Sequence, residues 1–165
     1  MQAPVYTLPD TNVPILGPIE TLDFFHQGSV QLSSKITPLE AWRIIMSQPM
    51  PVLNLAFRIR DAVCSLFGVQ KIGGFSGTVP QTVVAGQKLD FFMVEHISSD
   101  ALVLTGRDRH LDVMTSIVTQ GQMLTITSSV KVHNRFGWLY MIPVAPAHKL
   151  IVRQNLRQLK RELSS

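Results

Sequence analysis

The stretch 110–134, HLDVMTSIVTQGQMLTITSSVKVHN, runs almost directly into 137–163, GWLYMIPVAPAHKLIVRQNLRQLKREL, and the two together decide the fold. The first alternates apolar and polar residues on either side of Gln120-Gly121. Successive side chains of a strand point to opposite faces, so this reads as two long antiparallel strands joined by a tight turn, with glycine supplying a positive φ. In the second, Val152, Leu156, Leu159 and Leu163 recur at helical spacing and make one apolar stripe. Lys149, Arg153, Arg157, Lys160 and Arg161 lie off that stripe, which describes a basic amphipathic helix. Pro143 and Pro146 are expected to split it into a short first turn and a main helix. A long helix laid across an antiparallel sheet leaves a space between the two that suits an apolar ligand.

The hairpin can be read in register. With Gln120-Gly121 as the two turn residues, Thr119 faces Gln122 and the alternation sorts the side chains. One face carries Leu111, Val113, Ile117, Leu124, Ile126, Val130 and Val132, and it is expected to meet the closing helix. The other carries Asp108, His110, Asp112, Ser116, Thr125, Thr127, Ser129, Lys131 and His133, and it is expected to face solvent. Two histidines and two carboxylates (Asp108, His110, Asp112, His133) would suit a metal or an acid–base pair. On this register they are surface cross-strand pairs, and no metal is expected. A bulge near 107–109 would turn His110 and Asp112 inward. The polar residues that share the apolar face, Arg109, Thr115, Ser128 and Asn134, are the better ligand contacts. Trp138, Tyr140 and His148, near the proline break, join them.

Upstream, prolines 4, 9, 14 and 18 make residues 1–20 an extended, irregular lead-in. Asp23–Ser33 reads as a strand with a bulge at Gly28. Thr37-Pro38-Leu39-Glu40 is a capping box with proline at the first helical position. It starts a short helix whose Leu39, Trp42, Ile45 and Met46 share a face. A second helix, 52–67, is expected to bury Leu55, Ile59, Ala62, Val63, Leu66 and Phe67 and to stop at Gly68. Residues 69–88 hold several glycines, but Gly73, Gly74 and Gly77 fit no phosphate-binding pattern. Leu89–Ser98 and Ala101–Arg107 form a further hairpin.

Composition bounds the function. A chain of 165 residues suits one domain that buries roughly 70% of its unfolded surface without a disulfide or metal staple. Hydrophobic residues make up 45% and charged residues 16%, a balance that fits a large core or an apolar cavity. The net charge of +4 is modest, and the terminal basic run lacks interleaved aromatics, so nucleic acid is not expected as a partner. The single cysteine, Cys64, reads as a buried inert thiol. MQAPVYTLPD has no basic and apolar leader, and no apolar stretch is long enough to span a bilayer, so a cytoplasmic protein is expected.

The order strand, two short helices, antiparallel strands, long terminal helix resembles the START-like, helix-grip superfamily, an α+β fold shared with birch-pollen-allergen-type proteins and polyketide cyclases. The segments R107-DRHLD-112, K131-VHN-134 leading to G137-WLY-140, and P143-VAPAHKLIV-152 look like a family of uncharacterised, mostly bacterial domains, with similarity from about Asp23 to Leu159. Its motif residues His110, Asp112, His133, Asn134, Tyr140 and His148 are all present. The resemblance implies a fold and a small-molecule pocket, without a catalytic residue to carry over. Some members resemble a domain fused behind a nucleotide-binding reductase; no such domain is expected here.

The expectation is a binding protein for an apolar or amphipathic small molecule, without a cofactor, with room for a protein partner or a homodimer. Two other readings stand beside it. One is an enzyme of the cyclase or dehydratase type, with His110, Asp112 or His148 as its acid–base groups. The other is an accessory domain that meets a reductase or a membrane surface through its basic helix.

Overall fold

A computed structural model of the chain describes residues 6–9, 11–47, 49, 51–66 and 76–164, without the side chains at positions 52, 53, 56, 57, 60, 63, 64 and 66. The thiol of Cys64, the side chains at 63 and 66, Phe67, the helix stop at Gly68, and glycines 73 and 74 therefore lie outside the described residues. In chain order the elements are β1 (Tyr6–Thr7), β2 (Pro14–Ile15), β3 (Phe24–Gln31), α1 (Pro38–Ser47), α2 (Pro51–Leu66), β4 (Lys88–Leu89), β5 (Phe92–Ile97), β6 (Ala101–Arg107), β7 (Leu111–Gln120), β8 (Met123–Val132) and α3 (Arg135–Glu162). Among the described residues, strands β3-β8-β7-β6-β5-β4 make one antiparallel sheet, and α3 packs across its β3 side. This is the expected α+β arrangement, an open sheet gripped by a closing helix.

The central hairpin differs from the sequence reading in an instructive way. Gln120 pairs with Met123, so the turn residues are Gly121-Gln122 rather than Gln120-Gly121. Gly121 has φ +62°, and tight two-residue hairpin turns need a positive φ at their first central position. Sliding the turn by one residue slides the register by two, and an even slip keeps every side chain on its face. The apolar set therefore does meet the helix. Leu104, Ile117, Leu124 and Ile126 pack with Val152, Leu156 and Leu159 of α3 and with Trp42 and Ile45 of α1. The capping box of α1 forms as expected: Thr37 N donates to the Glu40 carboxylate at 2.7 Å, and Glu40 N donates to Thr37 Oγ1 at 3.3 Å. The hydrogen bond from Thr37 N holds the Glu40 carboxyl below the usual carboxylate range.

Four expectations are corrected. The polar face of the sheet is not solvated at its centre, because the lead-in folds back over it as the β1–β2 hairpin. Ser116 Oγ donates to the Pro14 carbonyl at 2.7 Å, Leu16 N donates to Ser129 Oγ at 3.1 Å, and Leu8, Val13 and Ile15 form a second small core with Phe25 and Val118. Gly28 is no bulge. β3 pairs with β8 without interruption from Phe24 to Gln31, and a Cβ at Gly28 would sit 2.9 Å from the Leu156 side chain. Glycine is there so that α3 can come close. Third, Leu55 and Ile59 are 55% and 52% exposed, since α2 leans on α3 and keeps a solvent face. Fourth, Pro143 and Pro146 lie inside one continuous α3. Both are exposed, and the residues whose carbonyls lose their donors, Leu139 and Ile142, are exposed too, so water can replace the missing N–H groups.

Among the described glycines Gly137 has the least room for a side chain, because a Cβ there would collide with the His110 carbonyl oxygen. That oxygen already accepts from His133 N at 2.8 Å, so the backbone there has little freedom to shift. Gly137→Ala should lower unfolding stability by about 3 kcal/mol in urea titrations, at the upper end of ordinary overpacking costs. A loss under about 0.5 kcal/mol would show that the junction yields.

Candidate functional site

The inner face of the sheet carries a row of polar residues under the first half of α3. Alternation along β3 puts Phe24, His26, Gly28 and Val30 inward. The β3–β8 register sets His26 beside Ser128, and the β8–β7 register sets Ser128 beside Thr115. Ser128 is buried, and its Oγ lies 3.1 Å from Thr115 Oγ1. Above this row, His148 hangs from the sheet-facing side of α3, four residues before the buried Val152. Its ring meets His26 edge-on at 6.0 Å between centroids and meets Phe24 edge-on at 5.6 Å.

The two imidazoles are electrically unusual. Nδ1 of His26 and Nδ1 of His148 are both enclosed, with no hydrogen-bond partner among the described residues. Burial, reinforced by His26, pushes the His148 imidazole down to about 4. Burial also lowers His26, with Lys149 adding to the effect. Lys149 leans over the Phe24 ring, its Nζ 6.0 Å from the centroid. Near neutral pH the site is therefore two uncharged imidazoles, two hydroxyls and an aromatic ring at the edge of a large apolar core. An uncharged imidazole offers one donor and one acceptor. Buried polar atoms left without a partner cost about 1–3 kcal/mol each, so the cluster favours a polar group placed among them.

The other residues singled out from sequence separate into three places. Arg109 does not share the apolar face, because it sits exposed in the turn 108–110. Its Nε donates to His110 Nε2 at 3.0 Å. An acceptor role at Nε2 leaves the ring proton on Nδ1, which donates to Asn134 Oδ1 at 3.1 Å. Asn134 in turn caps α3 by accepting from Gly137 N at 3.0 Å, and its Nδ2 donates to the Arg109 carbonyl at 3.0 Å. Asp108 closes the turn, with Oδ1 accepting from His110 N and Leu111 N. His110 thus leaves the outer ladder and stacks near Phe136, ring centroids 4.6 Å apart. Asp112 and His133 form the surface pair that alternation implied, Oδ1 to Nε2 3.2 Å. Trp138 is 62% exposed on the outer side of α3, and Tyr140 is half-buried. Thr115 and Ser128 are paired, and His148 reaches this row through His26, which stands beside Ser128. The residue that completes them, His26, was missed, although alternation from Phe24 to Val30 already places it on the apolar face. Among the described residues, no three His, Cys, Asp or Glu side chains converge as metal ligands.

Fold and site together define an α+β protein in which a terminal helix covers a sheet and a histidine pair sits between them. The chain belongs to the family described as "Protein of unknown function (DUF2867)", whose model matches residues 18–155. No curated protein and no solved structure matches the chain. These findings support the expected family of uncharacterised domains and give no link to START proteins or to reductases.

The depressed His148 value has a consequence for stability. Unfolded, the imidazole protonates as pH falls through its ordinary 6.5; folded, it resists until about 4. The unfolded chain therefore binds more protons in that window. The contribution is fully present above pH 6.5 and is lost progressively as pH falls towards 4, up to about 3 kcal/mol. His26 acts with the same sign. Urea midpoints followed across this range should fall more steeply for the natural chain than for His148→Leu; parallel curves would refute the assignment.

Proposed function

We propose that this protein binds a small amphipathic molecule between the inner sheet face and the first half of α3. The bound group would be a hydroxyl or carbonyl held by His26 and His148, with Ser128 and Thr115 beside them. The observation that carries the reading is a pair of imidazoles packed edge-on, ring centroids 6.0 Å apart, each with an enclosed Nδ1 that has no partner among the described residues. A hydroxyl, which both donates and accepts, would satisfy them whichever nitrogen carries the proton; a carbonyl would satisfy them where both Nδ1 atoms carry one. Phe24, edge-on to His148, would meet the apolar part of the molecule. The resemblance to the helix-grip superfamily supports the same placement.

Binding is favoured over catalysis by magnitude. A general base works best with a pKa near the working pH, and burial holds His148 at about 4. At neutral pH such a group is too weak a base to take a proton efficiently, and it has none to give as an acid. As a hydrogen-bonding partner it loses nothing by staying uncharged. Asp112 and His110, the other acid–base candidates, are engaged with His133 and with the α3 cap.

Thermal shift against long-chain alcohols, fatty acids and aromatic ketones tests the reading. A true ligand at 100-fold over its Kd should raise Tm by roughly 5–10 °C. The shift should be lost in His148→Leu and reduced in His26→Leu, while both variants keep a cooperative melt. If no member of the panel shifts the natural chain, or if the shift survives both substitutions, the proposal fails.

A further inference from the structure

The outward side of α3 has a composition that its packing does not explain. Leu139, Ile142, Pro146, Leu150, Arg153 and Arg157 follow one another at spacings of three and four, so they form a single stripe, and all are exposed. Leu139, Ile142 and Leu150 are 57%, 55% and 46% exposed, and Trp138 lies beside them. The stripe is apolar over its first half and cationic over its second. Arg135 stands at its start and Lys160 continues it. The helix carries no carboxylate before Glu162, near its end. The opposite side of the same helix is held to the sheet by Val152, Leu156 and Leu159. A rigid helix with one face pinned therefore presents a second face that is apolar and basic at once.

We propose that this stripe docks the protein on an anionic lipid surface. An interfacial helix sinks an apolar face into the headgroup boundary and sets its cations against anionic lipids. Tryptophan prefers that boundary, because one end of its ring system is apolar and the other carries an N–H. Here the two halves lie end to end on one exposed line, so a flat charged surface can engage both without any unfolding. A second copy of the chain fits worse. Antiparallel pairing would set Arg153 and Arg157 on Leu139 and Ile142, and parallel pairing would set cation on cation; both bury charge without a partner. Among the described residues no helix is long and apolar enough to cross a membrane, so the association is peripheral.

Co-sedimentation of the full chain with vesicles tests this. The chain should bind phosphatidylcholine vesicles that contain phosphatidylserine, should not bind pure phosphatidylcholine, and should be released by salt. The emission of Trp138 should move to the blue on binding, and Trp138→Phe should remove that movement, which separates it from the buried Trp42. Arg153→Glu with Arg157→Glu should weaken binding at least about tenfold, since each cation near an anionic surface is worth about fivefold. Both positions are exposed, so the melt should be unchanged. Ile142→Ser should weaken binding with charge intact. Absence of binding to the anionic vesicles, or binding indifferent to the double charge reversal, overturns the proposal. So does a concentration-dependent dimer that shields Trp138 without lipid.

Discussion

The structure depends on how the chain leaves β8 and becomes α3. Between Val132 and Arg135 it must reverse, cap a long helix and aim that helix back across the sheet. Asn134 does most of this. It caps the helix through Gly137 N and ties the turn 108–110 through the Arg109 carbonyl and His110 Nδ1. Gly137 then lets the first helical turn rest on the His110 carbonyl, where any Cβ would collide. With the start fixed there, α3 passes close over β3 at Gly28, where Leu156 and Val152 come down on bare backbone. Two glycines and one asparagine set the line of the helix, and that line brings His148 over His26.

The same line explains why the two halves of α3 differ. Over the second half, the sheet offers Leu124 and Ile126 and α1 offers Trp42 and Ile45, so Val152, Leu156 and Leu159 are buried in a continuous core. Over the first half the sheet offers His26, Ser128 and Thr115, and the helix answers with His148. An apolar core would gain more stability from leucines at these four positions. Instead the fold keeps two desolvated imidazoles whose protonation burial opposes. Perturbed titratable groups of this kind, enclosed and without partners, concentrate where a protein meets a ligand.

Much of this was legible in sequence, and the failures have physical causes. The Thr37–Glu40 capping box, the apolar stripe of α3 and the inward face of the hairpin depend on local chemistry and periodicity, and they hold. The hairpin faces survived a misplaced turn because the slip was even. Long-range effects were not legible. Nothing local to Ser116 or Ser129 says that the β1–β2 hairpin will fold back and bury them. Pro143 and Pro146 read as breaks, since the solvent exposure that lets a helix absorb them is a tertiary property. His110 read as a ladder residue because the turn before it, closed by Asp108, has no period to follow. Of the site, alternation along the hairpin reaches Thr115 and Ser128, and the helix start reaches His148. His26 lay unremarked in an edge strand whose alternation already pointed it inward.

The central claim is that His26 and His148 are uncharged, and that their enclosed Nδ1 atoms are what the proposed ligand would meet. Imidazole ¹⁵N resonances read both properties directly. In the free protein His148 should hold the nitrogen shifts of a neutral ring down to a midpoint near pH 4, with His26 also titrating below its ordinary range. On adding a long-chain alcohol or ketone that shifts Tm, the nitrogen resonances of both rings should move while those of His96 stay fixed. A His148 that titrates near 6.5, or ring resonances indifferent to such a ligand, would contradict the account.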